Sequence, residues 1–299
     1  MGRVAAIDLG SNSCVLLVAE RGADGVLTRV HSAIRFTRLG EGVDDTGRLA
    51  HRAIERTLSA LEDLLAAATE YGAQTVRCVG TSALREASNR RVVIDAAAEF
   101  GLPVIPITGG EEARLSFLAA CDRSAAHNVL MVDVGGNSTE LVRGAGGEAV
   151  WRTSLPMGSV RLKERHGLLA PRNATAWRAL NADIDGLIVR QPPGQEHEVL
   201  AVAGTATTAA QVHLGLSAYD PELVDGLQLG VDDLNRLLER FAPLTVEERV
   251  EAFHVPRARA DVLPVGLAIL VHVLTAFGHQ RLTVRDRGVA WGVVSELLG

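Results

Sequence analysis

The residues best suited to chemistry form one short pattern that occurs twice in the chain. The first copy reads Asp8-Leu-Gly-Ser-Asn-Ser13 and the second reads Asp133-Val-Gly-Gly-Asn-Ser138. Glycine lets backbone N–H groups approach an anion closely, and successive N–H groups in a tight turn form an anion-binding concavity. Serine and asparagine add short polar side chains. The repeated pattern therefore predicts two phosphate-binding turns.

The candidate ligands within these turns fall into two classes. Asp8 and Asp133 each close a predicted strand, and a carboxylate there suits a hard cation or a water bridging to it, so we assign both to the metal side. The residues expected to contact substrate are Ser11, Asn12, Ser13, Gly135, Gly136, Asn137 and Ser138.

Two further segments carry candidate binding groups at the start of predicted helices. Arg85 follows Gly80-Thr-Ser82, a strand-to-helix turn that offers an N-cap. Gly204 and Thr205 follow another predicted strand, with a helix expected to begin near Ala209. A glycine turn before a helix N-terminus can bind a phosphate or a ribose, although this signal is weak by itself.

Two adjacent acids, Glu111 and Glu112, follow a Gly-Gly turn at the start of another predicted helix. Acids in a first helical turn are ordinarily stabilising, by ~0.3–1 kcal/mol each. Because these acids lie between two predicted phosphate-binding turns along the chain, one of them becomes a candidate general base.

The elements that must position these groups are typical of an α/β chain. Each copy of the repeat is a β-rich run, a polar turn and a second β-rich run, which predicts a β-hairpin. Strands alternate with helices predicted at 48–71, 89–100, 173–189 and 264–277. Two copies of one pattern, a domain length apart, predict two related domains at residues 1–122 and 123–299.

Composition narrows the class of protein. The chain has 299 residues, of which 47% are hydrophobic and 22% charged, and this is typical of a folded globular protein. A net charge of −6, no Lys/Arg-rich block and 4% aromatic residues argue against a nucleic-acid partner. Three dispersed cysteines predict buried thiols in a reducing compartment. With no signal-peptide pattern and no apolar run of membrane-spanning length, we expect a cytoplasmic protein without a membrane partner.

Taken in order, these motifs resemble the exopolyphosphatase / guanosine pentaphosphate phosphohydrolase (Ppx/GppA) family, in its short two-domain form. That family belongs to the superfamily of actin-like ATPases and sugar kinases. The resemblance covers essentially the whole chain and is carried by residues 8–13, 81–89, 109–115, 133–140, 154–161, 203–205, 259–264 and 283–288. It implies two ribonuclease-H-like domains flanking a cleft, in which a phosphoanhydride is hydrolysed with the help of Mg²⁺ or another divalent cation.

The resemblance also implies roles at matching positions. Glu112, the acid immediately before Ala-Arg, matches the base that activates water, and Glu140 matches the second catalytic carboxylate. Glu111 stays open as an alternative base, because the spacing to Glu140 can shift by one residue. The remaining matches are a first phosphate clamp of Ser11, Asn12, Ser13 and Arg85, phosphate- and metal-side residues Asp133 and Gly135, and a third clamp of Gly204 and Thr205.

The chain departs from the family pattern at two places. Asn137 stands where the family usually has the third glycine of Gly-Gly-Gly-Ser-Thr-Glu. Since asparagine tolerates positive φ better than most residues, we expect the turn to survive with altered phosphate geometry. The segment Gly288-Val-Ala-Trp-Gly292 lacks an Arg and a Glu that the family carries there.

The favoured function is the release of terminal orthophosphate from inorganic polyphosphate by metal-assisted attack of water. The first alternative is a guanosine pentaphosphate (pppGpp) 5′-phosphohydrolase, and the second is a sugar or acetate kinase of the same superfamily. A sensor that binds polyphosphate or a nucleotide without hydrolysis is disfavoured, because Glu112 and Glu140 are both retained. The resemblance also admits a homodimer.

Overall fold

A computed structural model describes residues 2–121, 127–168, 173–188 and 196–299. The chain divides into two compact units, one made of residues 1–119 with 287–299 and the other of residues 120–286. The boundary predicted between residues 122 and 123 falls outside the described residues. Within the described part, no helix is long and apolar enough to cross a membrane.

The first unit is built on a five-stranded sheet in the order β3-β2-β1-β4-β5. Its strands are β1 (Arg3–Leu9), β2 (Cys14–Arg21), β3 (Leu27–Arg35), β4 (Ala73–Gly80) and β5 (Val104–Pro106). Strand β1 is antiparallel to β2 and parallel to β4. Its helices before residue 120 are α1 (Val43–Thr46), α2 (His51–Glu70), α3 (Ser82–Glu86), α4 (Arg91–Glu99) and α5 (Gly109–Ala120).

The second unit is built on a six-stranded sheet in the order β10-β11-β9-β6-β7-β8. Its strands are β6 (Val129–Val134), β7 (Thr139–Ala145), β8 (Glu148–Leu155), β9 (Glu198–Val202), β10 (Gln228–Gly230) and β11 (Arg281–Val284). Its helices are α6 (Ser159–Arg165), α7 (Ala174–Ile188), α8 (Ala203–His213), α9 (Pro221–Val224), α10 (Val231–Phe241), α11 (Val246–Phe253), α12 (Arg257–Ala260) and α13 (Leu263–Ala276). Helix α13 is buried along most of its length, as the sequence predicts.

Both units have an antiparallel three-stranded meander. On its other edge, the first strand of each meander pairs with a parallel strand, β1 with β4 and β6 with β9. The predicted hairpins at both copies of the repeat are therefore confirmed. So is the predicted fold class, an α/β chain with two ribonuclease-H-like units.

The C-terminal helix α14 (Val289–Leu298) belongs to the first unit, whereas the predicted division places it in the second. Side chains of β1 alternate between the two faces of the sheet. Ala5 and Ile7 pack into a core with α2 and α4, while Val4 and Ala6 join a core formed with α5 and α14. Without α14 only α5 would cover the second face, and sequence order could not reveal the contribution of α14. Asp8 continues the even-numbered row, at the end of β1.

Helix α8 begins at Ala203, about two turns before the predicted start near Ala209. The reason is the backbone of Ala203, which adopts a φ of 63° directly after β9. The chain therefore passes from strand to helix without an intervening loop. As a result, Gly204 and Thr205 lie in the first turn of the helix rather than in a turn before it.

Candidate active site

The turn between β1 and β2 is closed by one backbone hydrogen bond, from Gly10 N–H to the Ser13 carbonyl at 3.0 Å. A Cβ at residue 10 would lie 2.9 Å from that same oxygen, closer than real Cβ contacts allow. Glycine is thus required here by close approach. Ser11 and Asn12 are buried within the turn, and Ser13 is half-buried.

The turn between β6 and β7 repeats this geometry. Gly135 N–H donates to the Ser138 carbonyl at 2.9 Å, and a Cβ at residue 135 would lie 3.0 Å from that oxygen. Asn137 and Ser138 are buried, as are Asn12 and Ser11 in the first turn. The repeat seen in the sequence is therefore also a repeat in the backbone.

The first turn is anchored by α3 and by the loop that follows β3. Ala83 N–H, at the start of α3, donates to Ser11 Oγ at 3.2 Å. From the loop, Gly40 N–H donates to the Ser11 carbonyl at 2.8 Å and Arg38 N–H to the Asn12 carbonyl at 3.1 Å. One serine thus links the hairpin to two other elements, so its hydroxyl has a structural task as well as a candidate binding role.

The second turn is anchored by the N-terminus of α6. Three successive carbonyls of the turn accept hydrogen bonds from that helix. In the part of the chain that the structure describes, no backbone acceptor bonds the N–H groups of residues 136–138, so they remain to bind an anion. The bonds are Ser159 N–H to Gly135 O at 3.0 Å, Val160 N–H to Gly136 O at 2.8 Å and Arg161 Nε to Asn137 O at 2.7 Å.

Gly158 allows this close approach of α6. A Cβ at residue 158 would overlap the carbonyl group of Gly136 and the carbonyl carbon of Asn137. Thr139, the first residue of β7, adds a hydrogen bond from its hydroxyl to the Met157 carbonyl. The sequence assigns no role to Gly158, because nothing in a Met-Gly-Ser run shows which part of the chain it will contact.

The two adjacent acids of α5 have different surroundings. Glu112 is 8% exposed and accepts a hydrogen bond from Arg85 at 3.0 Å. Glu111 instead forms a two-pronged ion pair with Arg114, at 2.8 and 3.0 Å, and Arg114 also contacts Glu296. The hydrogen bonds that Arg114 donates to Glu111 hold the pKa of the Arg114 guanidinium above its ordinary value.

These contacts bear on the choice between the two acids. Glu111 belongs to a surface ion-pair network, whereas Glu112 is buried beside Arg85, the residue assigned to the first phosphate clamp. The structure thus brings together two predicted site residues, Glu112 and Arg85. It also favours Glu112 over Glu111 as the candidate base.

In the second unit, two carboxylates lie directly opposite each other on one hairpin. Asp133 on β6 is the register partner of Glu140 on β7, and the two residues are 6% and 0% exposed. Ser154 on β8 donates its hydroxyl to Glu140 Oε1 at 2.6 Å. Like charges directly opposite on a sheet repel each other, so such a pair suits a bound cation or a shared proton. In the first hairpin, the partner of Asp8 is Val15.

The Asp133–Glu140 pair fits a magnesium site in which protein carboxylates supply only part of the coordination. Across the described ranges, no group of three or more His, Cys, Asp and Glu side chains could hold a metal ion. Mg²⁺ is often held by one or two carboxylates, with waters and substrate phosphate oxygens completing its octahedron. Asp133 and Glu140 could supply those carboxylates. Asp8 has no second carboxylate opposite it on its own hairpin.

Gly204 and Thr205 lie at the start of α8, where each contributes to the contacts of the helix with its neighbours. The Thr205 hydroxyl donates to the Val134 carbonyl at 3.2 Å, joining α8 to the end of β6. A Cβ on Gly204 would overlap the guanidinium of Arg259, so glycine makes room for that side chain. Burial lowers the pKa of Arg259 to about 10. Sequence reasoning assigned no role to Arg259, although a cation beside a helix N-terminus adds to its attraction for anions.

The second turn is intact with Asn137 in place of glycine, as expected, but Asn137 does not use the tolerance of asparagine for positive φ. Among the non-glycine residues that the structure describes, positive φ occurs at Arg38, Ala203 and His254. The φ of Asn137 therefore lies outside the left-handed region and does not by itself require asparagine. Its side chain, rather than its φ, must explain an asparagine at this place.

Comparison with known proteins places the chain in a class. Residues 17–299 match the model of the Ppx/GppA phosphatase family. The chain is 36% identical to Exopolyphosphatase 2 of Mycobacterium tuberculosis, over 99% of both proteins. It is 31% identical to the Guanosine-5'-triphosphate,3'-diphosphate pyrophosphatase of Vibrio cholerae, over 98% of this chain and 59% of that protein.

Solved structures agree with the sequence comparisons. The crystal structure of the Aquifex aeolicus member of the Ppx/GppA protein family superposes with a TM-score of 0.82 at 33% identity, covering 99% of this chain and 98% of that one. Together with the two ribonuclease-H-like units, these relatives place the chain among phosphoanhydride hydrolases. The chain belongs to the Ppx/GppA phosphatase family, and the resemblance drawn from its motifs is confirmed.

Proposed function

We propose that the chain is an exopolyphosphatase, which releases terminal orthophosphate from inorganic polyphosphate by attack of water. The observation that carries the proposal is the second turn with its neighbours. The N–H groups of residues 136–138 have no backbone acceptor among the described residues and can donate to phosphate oxygens, and the buried Asp133–Glu140 pair lies at the ends of the same two strands. A relative named Exopolyphosphatase 2 aligns with essentially the whole chain.

Substrate binding is assigned to backbone amides and short polar side chains. The Gly135–Ser138 turn binds non-bridging phosphate oxygens, and the Ser11–Ser13 turn with Arg85 forms a second clamp. Gly204 and Thr205, beside half-buried Arg259, form a third. Such local binding is compatible with a net charge of −6, because backbone dipoles and single arginines act at short range.

A divalent cation, Mg²⁺ by expectation, would be held by Asp133 and Glu140, with Asp8 as a further candidate. When bound it neutralises charge on the phosphoryl oxygens and so stabilises the transition state. The residues of this chain must otherwise position the substrate, because phosphoryl transfer depends mainly on positioning and charge neutralisation.

Glu112 acts as the general base that orients a water and removes its proton. Its carboxylate is held by Arg85 at 3.0 Å, and the same arginine donates to the Ile107 carbonyl at 3.3 Å, so the pair is fixed to the end of the first sheet. The water then attacks the terminal phosphorus in line with the leaving oxygen. Backbone amides of the turns donate to the phosphoryl oxygens as charge shifts.

A second candidate function is hydrolysis of the terminal 5′-phosphate of guanosine pentaphosphate. It is favoured by the 31% identity with the Vibrio cholerae enzyme, of which this chain spans 59%. The two functions require the same phosphate chemistry and differ in whether a base and ribose are also bound. A homodimer and a cytoplasmic location stay predictions.

The test is orthophosphate release by the full chain, measured as initial rates on tripolyphosphate, long-chain polyphosphate, guanosine pentaphosphate and ATP. Each substrate is tested with Mg²⁺, with Mn²⁺ and with EDTA. The proposal expects the highest kcat/KM on a polyphosphate and loss of activity in EDTA. A higher kcat/KM on guanosine pentaphosphate would establish the second candidate. Tight binding of polyphosphate without release under either metal would indicate a sensor.

A further inference from the structure

Asn137 contributes a polar side chain to the second turn, and the backbone conformation of the turn does not require that side chain. The residue is 1% exposed, yet both Oδ1 and Nδ2 lack a hydrogen-bond partner within the described residues. The carbonyl groups of this turn are engaged, since three of them accept hydrogen bonds from α6. A buried amide with neither its donor nor its acceptor satisfied is costly, so it calls for an explanation.

Conformation does not supply that explanation. Asn137 is absent from the residues of positive φ in the described chain, so alanine would fit its backbone as well. The hydrogen bond from Arg161 to residue 137 uses the main-chain carbonyl and would survive any substitution there. Packing alone would be met more cheaply by an apolar side chain of similar size.

We propose that the Asn137 side-chain amide is a direct ligand of condensed-phosphate substrates, with Nδ2 donating to a non-bridging oxygen of the phosphoryl group held by the second turn. The amide adds a side-chain donor to the N–H groups of residues 136–138, which have no backbone acceptor among the described residues. Its Oδ1 suits the cation side of the same phosphate, because amide oxygens are hard ligands. This inference rests on the proposed function, since it needs the second turn to bind phosphate.

The inference makes a distinctive thermodynamic claim. The ligand-free protein carries an unsatisfied buried amide, and binding of a phosphate satisfies it. Hydrogen bonds in a site closed to water are also stronger than in solution. Removing the amide should therefore weaken phosphate binding while leaving the ligand-free protein as stable as before, or more stable. A purely structural hydrogen bond would show the opposite pattern.

The experiment compares wild type with Asn137→Ala, Asn137→Gly and Asn137→Asp. The probe is imidodiphosphate, whose P–N–P linkage resists hydrolysis, titrated by calorimetry with Mg²⁺ present. We expect Asn137→Ala and Asn137→Gly each to raise the Kd about 10-fold, equivalent to about 1.4 kcal/mol. Asn137→Asp should raise it further, because a carboxylate repels phosphate. The ligand-free melting temperature of Asn137→Ala should equal or exceed that of wild type.

In steady state on tripolyphosphate, Asn137→Ala should raise KM more than it lowers kcat. Unchanged affinity in both the alanine and glycine variants would overturn the inference. So would a lower ligand-free melting temperature in Asn137→Ala, or failure of the wild type to bind imidodiphosphate. If the wild type binds the probe through Asn137 but hydrolyses none of the tested substrates, the proposed function fails and the inference stands.

Discussion

The two hairpin turns share one backbone geometry and differ in the groups placed around it. Both are closed by a hydrogen bond from a glycine N–H to a serine carbonyl, at 3.0 Å in the first and 2.9 Å in the second. Opposite Asp8 in the first hairpin is Val15, whereas opposite Asp133 in the second is Glu140. The first unit obtains its buried acid from another element, Glu112 at the start of α5, and pairs it with Arg85.

This difference separates what the repeat preserves from what it does not. The turn geometry is the same in both copies because it depends only on residues within the repeated segment, a short β-hairpin with glycine at one position. The chemistry diverges because cross-strand and helix neighbours lie outside the repeated segment. The first unit has a buried acid beside an arginine, Glu112 with Arg85, and the second has two opposed acids, Asp133 and Glu140.

The largest expected effect is on the acid of the first unit. Glu112→Gln should fold normally and lower the rate of phosphate release at least roughly 100-fold, because a glutamine cannot accept the proton from water. The matched control is Glu111→Gln, next in the chain, which breaks a surface pair with Arg114. We expect the control to retain most of the wild-type rate. Equal losses in the two variants, measured as kcat on polyphosphate, would remove the distinction drawn between these acids.

The next effect is on the acid pair of the second hairpin. Glu140→Gln should raise the Mg²⁺ concentration needed for half-maximal rate about 10-fold, because one of two opposed carboxylates loses its charge. Val15→Thr, a near-isosteric change at the matching place in the first hairpin, should leave the Mg²⁺ dependence unchanged. A titration of rate against Mg²⁺ measures both, and identical curves for wild type and Glu140→Gln would contradict the assignment.

A third effect concerns the anchor of the second turn. Gly158→Ala places a Cβ against the Gly136 carbonyl and should lower the free energy of unfolding by about 1–3 kcal/mol. The matched control is Gly186→Ala in α7, where a Cβ meets open space. Because alanine favours a helix over glycine, the control should gain about 0.5–1 kcal/mol. Denaturant unfolding measures the free energy of unfolding of both variants. Equal values for Gly158→Ala and wild type would show that α6 does not need this close approach.

The smallest effect concerns the anchor of the first turn. Ser11→Ala removes the acceptor for Ala83 N–H and should cost about 1 kcal/mol, the ordinary cost of losing a helix-start acceptor. The urea midpoint should fall while the m-value stays constant. A midpoint unchanged from wild type would mean that water replaces the hydroxyl at no cost.

Local sequence signals were sufficient for the hairpins, the glycine positions and the buried helix α13. Each follows from alternation, turn residues or an apolar run within one segment. Sequence could not place α14 on the first sheet, because that contact joins residues nearly 300 positions apart in the chain. It also set the start of α8 too late, since the unusual φ of Ala203 leaves no mark in composition.

The candidate site could be predicted from the sequence to the same degree as the fold. The turn residues and the acid pair could be named from pattern and resemblance, but their neighbours could not. That Glu112 rather than Glu111 faces Arg85 depends on the rotation of α5, which one residue changes by about 100°. The roles of Gly158 and Arg161 depend on backbone contacts between a turn and a helix about twenty residues apart.

The central claim is that this chain transfers the terminal phosphoryl group of polyphosphate to water. The most direct test is hydrolysis of long-chain polyphosphate in ¹⁸O-labelled water with Mg²⁺, followed by mass spectrometry of the orthophosphate formed. The account predicts that each released orthophosphate carries one oxygen from the labelled water and that the chains shorten from their ends. Failure to release labelled orthophosphate, or the appearance of internal fragments instead, would contradict it.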